Sequence, residues 1–380
     1  MTQRDPETES ARGTSRRSLL KAAGTVGAAG VLGLAGCASR GGNTDDGSTD
    51  AGGSTDGGGT ETGDGSGSGG GSESATPELG DSMTIFHAGS LAPPFDAAEP
   101  QFEEEYGVDV TREAKGSVAS TQKITQQGRV ADVLGTSDFR LIRNRILPEY
   151  GDWYTVFTTN SMSIQYREDS PGADEISKDN WWEILTRDGV TIGHSDPAVD
   201  PGGYRAVMSQ QLGAIEFRGS RLYDDATYQK LRENSTVPTG TETKLEGQLQ
   251  SGALDYAIYY QSISSTSGLP YIDLQDQVDL SQATSEYASH YAKAEVETGS
   301  GTFTGAPIAY GMTVPSVAEN PGRGAQWVEY FATEPGRQIL RDQGLVPVDP
   351  IVVPGSSEDA VPDRVMNVAS AKEALGPLEL

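Results

Sequence analysis

Met83-Thr-Ile-Phe-His-Ala-Gly-Ser-Leu91, followed by Ala92-Pro93-Pro94-Phe95, decides how this chain is read. A short apolar run stops at Ala88-Gly89-Ser90, and a segment with helical spacing begins behind it. That order predicts a strand, a tight turn and a helix start. Gly89 lets the backbone come close to a guest, and Ser90 is placed to cap the helix. A helix N-terminus offers unpaired N–H groups and a partial positive charge, so it suits an anion. The same device recurs at Gly116-Ser117 and at Asp200-Pro201-Gly202-Gly203-Tyr204. Several such turns in one chain point to an anion held by neutral groups.

The surrounding chain places this device outside the cytoplasm. Ser15-Arg16-Arg17-Ser18-Leu19-Leu20-Lys21 reads as a twin-arginine n-region, and Ala22 to Leu34 as an apolar, Ala/Gly-rich h-region. Residues 1–36 are therefore expected to be a signal peptide, too short for a lasting membrane span. Leu34-Ala35-Gly36-Cys37 resembles a lipobox, in which Cys37 is lipidated and becomes the new N-terminus; ordinary cleavage beside an incidental Cys is the other reading. Cys37 is the only cysteine of the chain, so it has no disulfide partner. Residues 37–81 are almost wholly Gly, Ser, Thr, Asp and Glu, with no apolar period to build a core. They are expected to act as a flexible tether of roughly 35 Å root-mean-square span. The expected location is the outer face of the cell membrane, held there by lipidated Cys37.

The 380 residues carry a formal charge of -27. Loss of residues 1–36 would remove five basic and three acidic groups, leaving the remainder more acidic still. Acidic residues are spread along the chain and Lys is scarce beside Arg, a pattern of adaptation to concentrated salt such as halophilic archaea show. This argues against nucleic acid as a partner and against a basic funnel for an anion. In about 1 M salt the screening length is only roughly 3 Å, so capture must be local.

From about Ser82 to Pro354 strands and helices alternate, the mark of an α/β fold with length for two lobes. Strands are predicted at Thr84–Phe86, Val108–Glu113, Ala131–Gly135, Asn160–Tyr166, Val190–His194, Leu254–Tyr260 and Ile308–Val314. Helices are predicted at Phe95–Tyr106, Ser117–Gln127, Leu141–Ile146, Trp181–Leu185, Tyr204–Phe217 and Lys244–Ser251, with a further helix within Pro321–Gln343. The first lobe is expected at about 82–159 and 308–354, the second at about 160–307. Residues 355–380 read as a polar tail with room for a short helix.

Phe86-His87-Ala88-Gly89-Ser90-Leu91, Gly116-Ser117-Val118, Pro148-Glu149-Tyr150 before Asp152-Trp153-Tyr154, Asp179-Asn180-Trp181, Ser195-Asp196-Pro197 running into Asp200-Pro201-Gly202-Gly203-Tyr204-Arg205, and Gly252-Ala253-Leu254-Asp255-Tyr256-Ala257 occur in a familiar order. Together they resemble the archaeal-type molybdate/tungstate-binding proteins of ABC importers, over nearly all of residues 83–350. The resemblance implies a type II periplasmic-binding fold, in which two α/β lobes joined by crossing strands close on an oxyanion. It implies ligand contacts from Gly89, Ser90, Ser117, Asp200, Pro201, Gly202, Glu242 and Tyr260, with Asp200 and Glu242 each lending an oxygen to the molybdenum or tungsten. Gly202 stands where relatives often carry Cys, and the segment between Tyr204 and Pro238 is shorter than usual. The implied partners are an ABC permease with its ATPase; no Walker motif is present in this chain. No cofactor and no catalysis are expected, and a monomer is the simplest assembly.

Two ionised carboxylates in an anion site need a reason, because like charges about 4 Å apart repel by about 4 kcal/mol at an effective dielectric of 20. For sulfate or phosphate they would be a penalty. A group-6 metal can accept their oxygens, whereas sulfur cannot, so the pair would select by charge. The residues also admit plainer uses: Ser90 and Ser117 as helix caps, Asp200 as a turn former before Pro201, Glu242 as a solvated helix-start carboxylate, Tyr260 as core. A receptor for sulfate, phosphate or an organic anion is the alternative within binding proteins. A secreted hydrolase with Ser90 as nucleophile and His87 as base is the alternative outside them, although no Gly-x-Ser-x-Gly elbow is present.

Overall fold

The structure, a computed structural model, describes residues 79–380. The signal peptide, the lipobox with Cys37, and the tether through residue 78 lie outside the described residues.

The decisive stretch folds as β1 (Ser82–Ala88), a single 3-10 turn at Gly89–Leu91, and α1 (Ala92–Tyr106). Pro93 and Pro94 sit in the first turn of α1, where a missing N–H costs nothing. Gly107 ends the helix at φ 60°, a left-handed cap that a side chain would strain. The chain continues through β2 (Asp109–Lys115), α2 (Ser117–Thr125), β3 (Val133–Thr136), α3 (Phe139–Arg145) and β4 (Thr155–Thr159). It then crosses through Asn160-Ser161 into a second sheet: β5 (Met162–Tyr166), α4 (Trp181–Leu185), β6 (Ile192–Ser195), α5 (Pro201–Ala214), α6 (Asp225–Asn234), β7 (Ser235–Thr239), α7 (Leu245–Gln250), β8 (Tyr256–Tyr260), α8 (Gln261–Thr266) and β9 (Tyr271–Asp273). After α9 (Ser285–Tyr291) and the hairpin of β10 (Glu295–Thr298) and β11 (Gly301–Thr304), the chain returns at β12 (Ala309–Thr313). α10 (Pro321–Ala332), α11 (Glu334–Asp342), β13 (Val346–Pro354), α12 (Asp363–Met366) and β14 (Ala369–Lys372) complete the first lobe.

The first sheet has the order β14-β13-β4-β12-β3-β1-β2, with β1 parallel to both β2 and β3 and β12 antiparallel to its neighbours. The second has the order β7-β6-β8-β5-β9, with β6 parallel to both β7 and β8. Every parallel strand therefore points its carboxyl end at the turn that follows it, and ligands of open α/β sheets bind there. The turns after β1, β2, β6 and β7, and the last residue of β8, carry Ser90, Ser117, Asp200, Glu242 and Tyr260.

Several sequence expectations change. β4, like α6, β7, α8, β9, α9, β10, β11 and β13, is not among the predicted elements: Thr155-Val-Phe-Thr-Thr159 is five residues long and almost wholly buried, so it shows no alternation. Pro321–Gln343 holds two helices, because Pro335 cannot continue a helix and instead starts α11 after a break at Thr333. Residues 355–380 are more than a tail: β14 pairs in parallel with β13, and Val361 and Val365 are buried. Two valines four apart in a polar stretch are too sparse a signal for periodicity to reveal.

α1 and α10 cover the first sheet through Phe95, Phe102, Trp327 and Phe331. The Trp327 ring lies 5.2 Å from Phe95, 4.9 Å from Phe102 and 5.4 Å from Phe331. Trp327 is fully buried. Trp327→Ala is expected to cost about 3–5 kcal/mol of unfolding free energy, measured by chemical denaturation; a loss under 1 kcal/mol would contradict this packing.

Candidate functional site

Asp200 is built by α5. Its side chain caps the helix, Oδ1 accepting the Gly202 N–H at 3.0 Å, with Pro201 in the first turn behind it. Glu242 opens a 3-10 turn, Glu242–Lys244, after β7. Its N–H donates to Asp200 Oδ2 at 3.2 Å, and its Oε1 accepts the Ser90 N–H at 3.0 Å. The chain segments bearing Ser90, Asp200 and Glu242 thus meet at one point, although 152 residues separate the ends of the Ser90–Glu242 bond. A methyl group on Gly202 would stand 3.5 Å from the Tyr260 ring, so Gly202 and Tyr260 share this point. One on Gly116, beside Ser117, would stand 3.0 Å from Asp200 Cβ. Gly89 and Pro201 come to the site as chain neighbours of Ser90, Asp200 and Gly202.

Neither serine caps its helix through its hydroxyl. The 3-10 turn moves the start of α1 past Ser90, so Leu91 takes the cap position and Ser90 Oγ instead accepts from Tyr310 Oη at 3.0 Å. Ser117 is the first residue of α2 rather than its cap, and its Oγ accepts the Ser137 N–H at 3.0 Å. The free end of α2 is satisfied from the other lobe: the Val118 and Ala119 N–H groups donate to the Val199 carbonyl at 3.1 and 3.3 Å. Ser90, Ser117, Asp200, Glu242 and Tyr260 are all buried. Glu242 Oε2 is buried too and has no hydrogen-bond partner among the described residues.

Sequence reasoning looked for neutral groups and overlooked Arg205. This buried guanidinium donates through Nη1 to the Ser137 carbonyl and to Tyr260 Oη, both at 2.6 Å, and its Nη2 lies 3.4 Å from Asp138 Oδ2. Tyr204 donates to the same Asp138 oxygen at 2.7 Å. Arg140 completes the cluster, bonding Asp138 and reaching the Thr304 carbonyl at 2.9 Å, while Arg145 reaches the Ser300 carbonyl at 2.7 Å. The only hint was position: Tyr204-Arg205 directly follows the Gly202-Gly203 turn, one helical turn in from Asp200. Asn160 and Tyr310, which back Ser90, were legible only as strand residues.

The electrostatics follow the packing. Burial pushes the Asp200 carboxyl up to about 7, against the Gly202 N–H bond that favours its charged form. Asp138 is equally buried, yet the Arg140 and Arg205 guanidiniums hold it well below the usual carboxylate range. Burial raises the Tyr260 hydroxyl well above its ordinary value, so it stays protonated. Burial lowers His87 to about 4; its Nδ1 faces the Ala88 carbonyl at 2.8 Å. The Ser90 hydroxyl is bonded to Tyr310, and no His87–Ser90 hydrogen bond forms among the described residues. Nor does any group of three or more His, Cys, Asp or Glu among them form a site for a bare metal ion.

Two α/β lobes, joined by crossing strands and meeting over buried carboxylates and N–H donors, define the type II periplasmic-binding class. Solved structures share the fold. The sulfate-binding protein SubI of Mycobacterium tuberculosis aligns with a TM-score of 0.52 at 15% identity, over 75% of this chain and 93% of that one. The periplasmic molybdate-binding protein of Azotobacter vinelandii aligns with a TM-score of 0.50 at 16% identity, over 70% and 98%. Residues 83–346 match the family described as bacterial extracellular solute-binding protein, and the chain belongs to that family. Among its relatives, the molybdate/tungstate-binding protein WtpA of Pyrococcus abyssi is 33% identical over 79% of this chain and 93% of its own length. An uncharacterized solute-binding protein of Methanococcus maripaludis is 37% identical over 77% and 94%. Family and fold are those of solute-binding proteins, and no helix among the described residues is long and apolar enough to cross a membrane.

Two outcomes follow from this geometry. Gly116→Ala would set a methyl 2.2 Å from the Val199 carbonyl of the other lobe. It is expected to hold the lobes apart without unfolding either, which small-angle scattering reads as a larger radius of gyration than wild type. Asp200 binds its proton more tightly in the fold than in the unfolded chain, so its contribution to stability is greatest below about pH 4 and is lost as pH rises through about 7. The melting temperature is expected to fall by a few degrees more in wild type than in Asp200→Asn between pH 5 and 8; parallel curves would contradict it.

Proposed function

We propose that this protein is a receptor outside the cytoplasmic membrane that binds molybdate or tungstate and delivers it to an ABC permease. The observation that carries the proposal is the buried pair of carboxylates, Asp200 and Glu242, joined through the Glu242 N–H. Glu242 keeps one oxygen unpartnered, and amide and hydroxyl donors lie beside the pair. Sulfate or phosphate would meet that pair as repulsion, whereas a metal centre able to expand its coordination would accept an oxygen from each. The name of the Pyrococcus abyssi relative points the same way.

In this reading Ser90, Ser117 and the backbone at Gly89 and Gly202 hold the oxo atoms, with Pro201 setting the start of α5 and Tyr260 adding a hydroxyl. The Ser90 N–H, which serves Glu242 Oε1, passes to an oxo atom as the carboxylate turns to the metal. The protein is not an enzyme; it acts as a monomer exported by the twin-arginine route and tethered through lipidated Cys37, and its ATPase is another chain. Asp200→Asn and Glu242→Gln are each expected to weaken tungstate binding at least tenfold and to reduce its advantage over sulfate, read by calorimetric titration. Unchanged affinity and selectivity in both variants would remove the carboxylates from the site and the proposal with them.

A further inference from the structure

The hydrogen bonds behind Ser90 have a direction that can be worked out atom by atom. Asn160 Oδ1 accepts the backbone N–H of Ser161 at 2.9 Å and of Ser262 at 3.3 Å. Backbone N–H groups can only donate, which fixes the orientation of the amide. Its Nδ2 then faces Ser262 Oγ at 2.8 Å and Tyr310 Oη at 3.0 Å, and both of its protons are used. Tyr310 Oη, already accepting from Asn160, has one proton, and it goes to Ser90 Oγ at 3.0 Å. Ser90 Oγ is thereby an acceptor toward Tyr310, and its own proton is left for whatever faces it in the site. Tyr260 stands in the same position: the Arg205 guanidinium can only donate, so Tyr260 Oη accepts and its proton is free to be given.

We propose that Asn160 and Tyr310 are positioning residues that lock the Ser90 hydroxyl as a donor toward an oxo atom of the bound oxyanion. The inference rests on the oxyanion reading above and adds residues outside the contacts assigned there. An oxo atom accepts the Ser90 proton at no cost. The relay also begins where the lobes join. Asn160 lies in the two-residue crossing from β4 to β5, and Tyr310 in the returning strand β12. All three side chains are buried, which keeps the relay dry and its direction fixed. Burial raises the Tyr310 hydroxyl to about 12, so it keeps the proton the relay needs.

The test is a double-mutant cycle on the mature protein, with tungstate titrated calorimetrically into wild type, Tyr310→Phe, Ser90→Ala and the double variant. Tyr310→Phe keeps the ring and is expected to weaken tungstate roughly tenfold. In the Ser90→Ala background Tyr310→Phe is expected to have no further effect, because Tyr310 acts through the Ser90 hydroxyl. Asn160→Ala supplies a second entry to the cycle should Tyr310→Phe fail to fold, with the same signs expected. Additive losses, or a Tyr310→Phe protein with unchanged tungstate affinity, would overturn the relay while leaving the receptor reading intact. A wild-type protein that binds neither tungstate nor any competing oxyanion would overturn both.

Discussion

Asp200 and Glu242 lie against each other in the interior, and burying carboxylates together is costly unless something neutralises or coordinates them. Much of the structure around them lessens that cost. The Gly202 N–H and the Glu242 N–H serve Asp200, and the Ser90 N–H serves Glu242. Those three amides belong to turns that follow parallel strands or to the helix start behind them. The constraint therefore reaches back into topology: β1, β6 and β7 must end at the same place for the amides to converge. A sheet order that reversed any of them would strand a carboxylate without donors.

The arginine cluster beside the site solves a different problem. Asp138 is also fully buried, yet Arg140 and Arg205 surround it and hold it well below the usual carboxylate range, while burial raises Asp200 to about 7. Two aspartates of equal burial thus differ in how tightly they hold a proton because one has guanidiniums in contact and the other has amides. Charge is spent on fixing the lobes to each other at Asp138, and backbone amides serve Asp200. Arg205 joins the two regions, holding Tyr260 with the same Nη1 that binds the Ser137 carbonyl.

The α/β alternation and the converging turns were legible because each leaves a local mark: an apolar run, then Gly-Ser or Asp-Pro-Gly at the helix start. Ser90, Asp200, Gly202, Glu242 and Tyr260 were named from those marks and from family order, and the fold brings them together. The donors behind them left no such mark. Arg205 looks like any helix arginine, Asn160 like a strand residue before Ser161, and Tyr310 like part of an apolar strand; only the crossing of chains between sheets makes them neighbours. The capping role given to Ser90 failed for a related reason, since a 3-10 turn and an immediate α-helix share the same sequence signature. β14 escaped notice because its pairing with β13 is made by backbone, which composition does not record.

Beside the carboxylate contacts at Asp138 and Glu242, a second set of bonds that tie one lobe to the other shares a chemical type. Arg140 and Arg145 reach the Thr304 and Ser300 carbonyls of the β10–β11 hairpin, Arg205 reaches the Ser137 carbonyl, and the start of α2 reaches the Val199 carbonyl. Of these donors' partners, each is a peptide oxygen rather than a carboxylate. Dissolved electrolyte weakens attraction between exposed ions far more than a short, dry bond from a donor to a dipole. This part of the seam between the lobes is accordingly built from contacts that brine leaves largely intact.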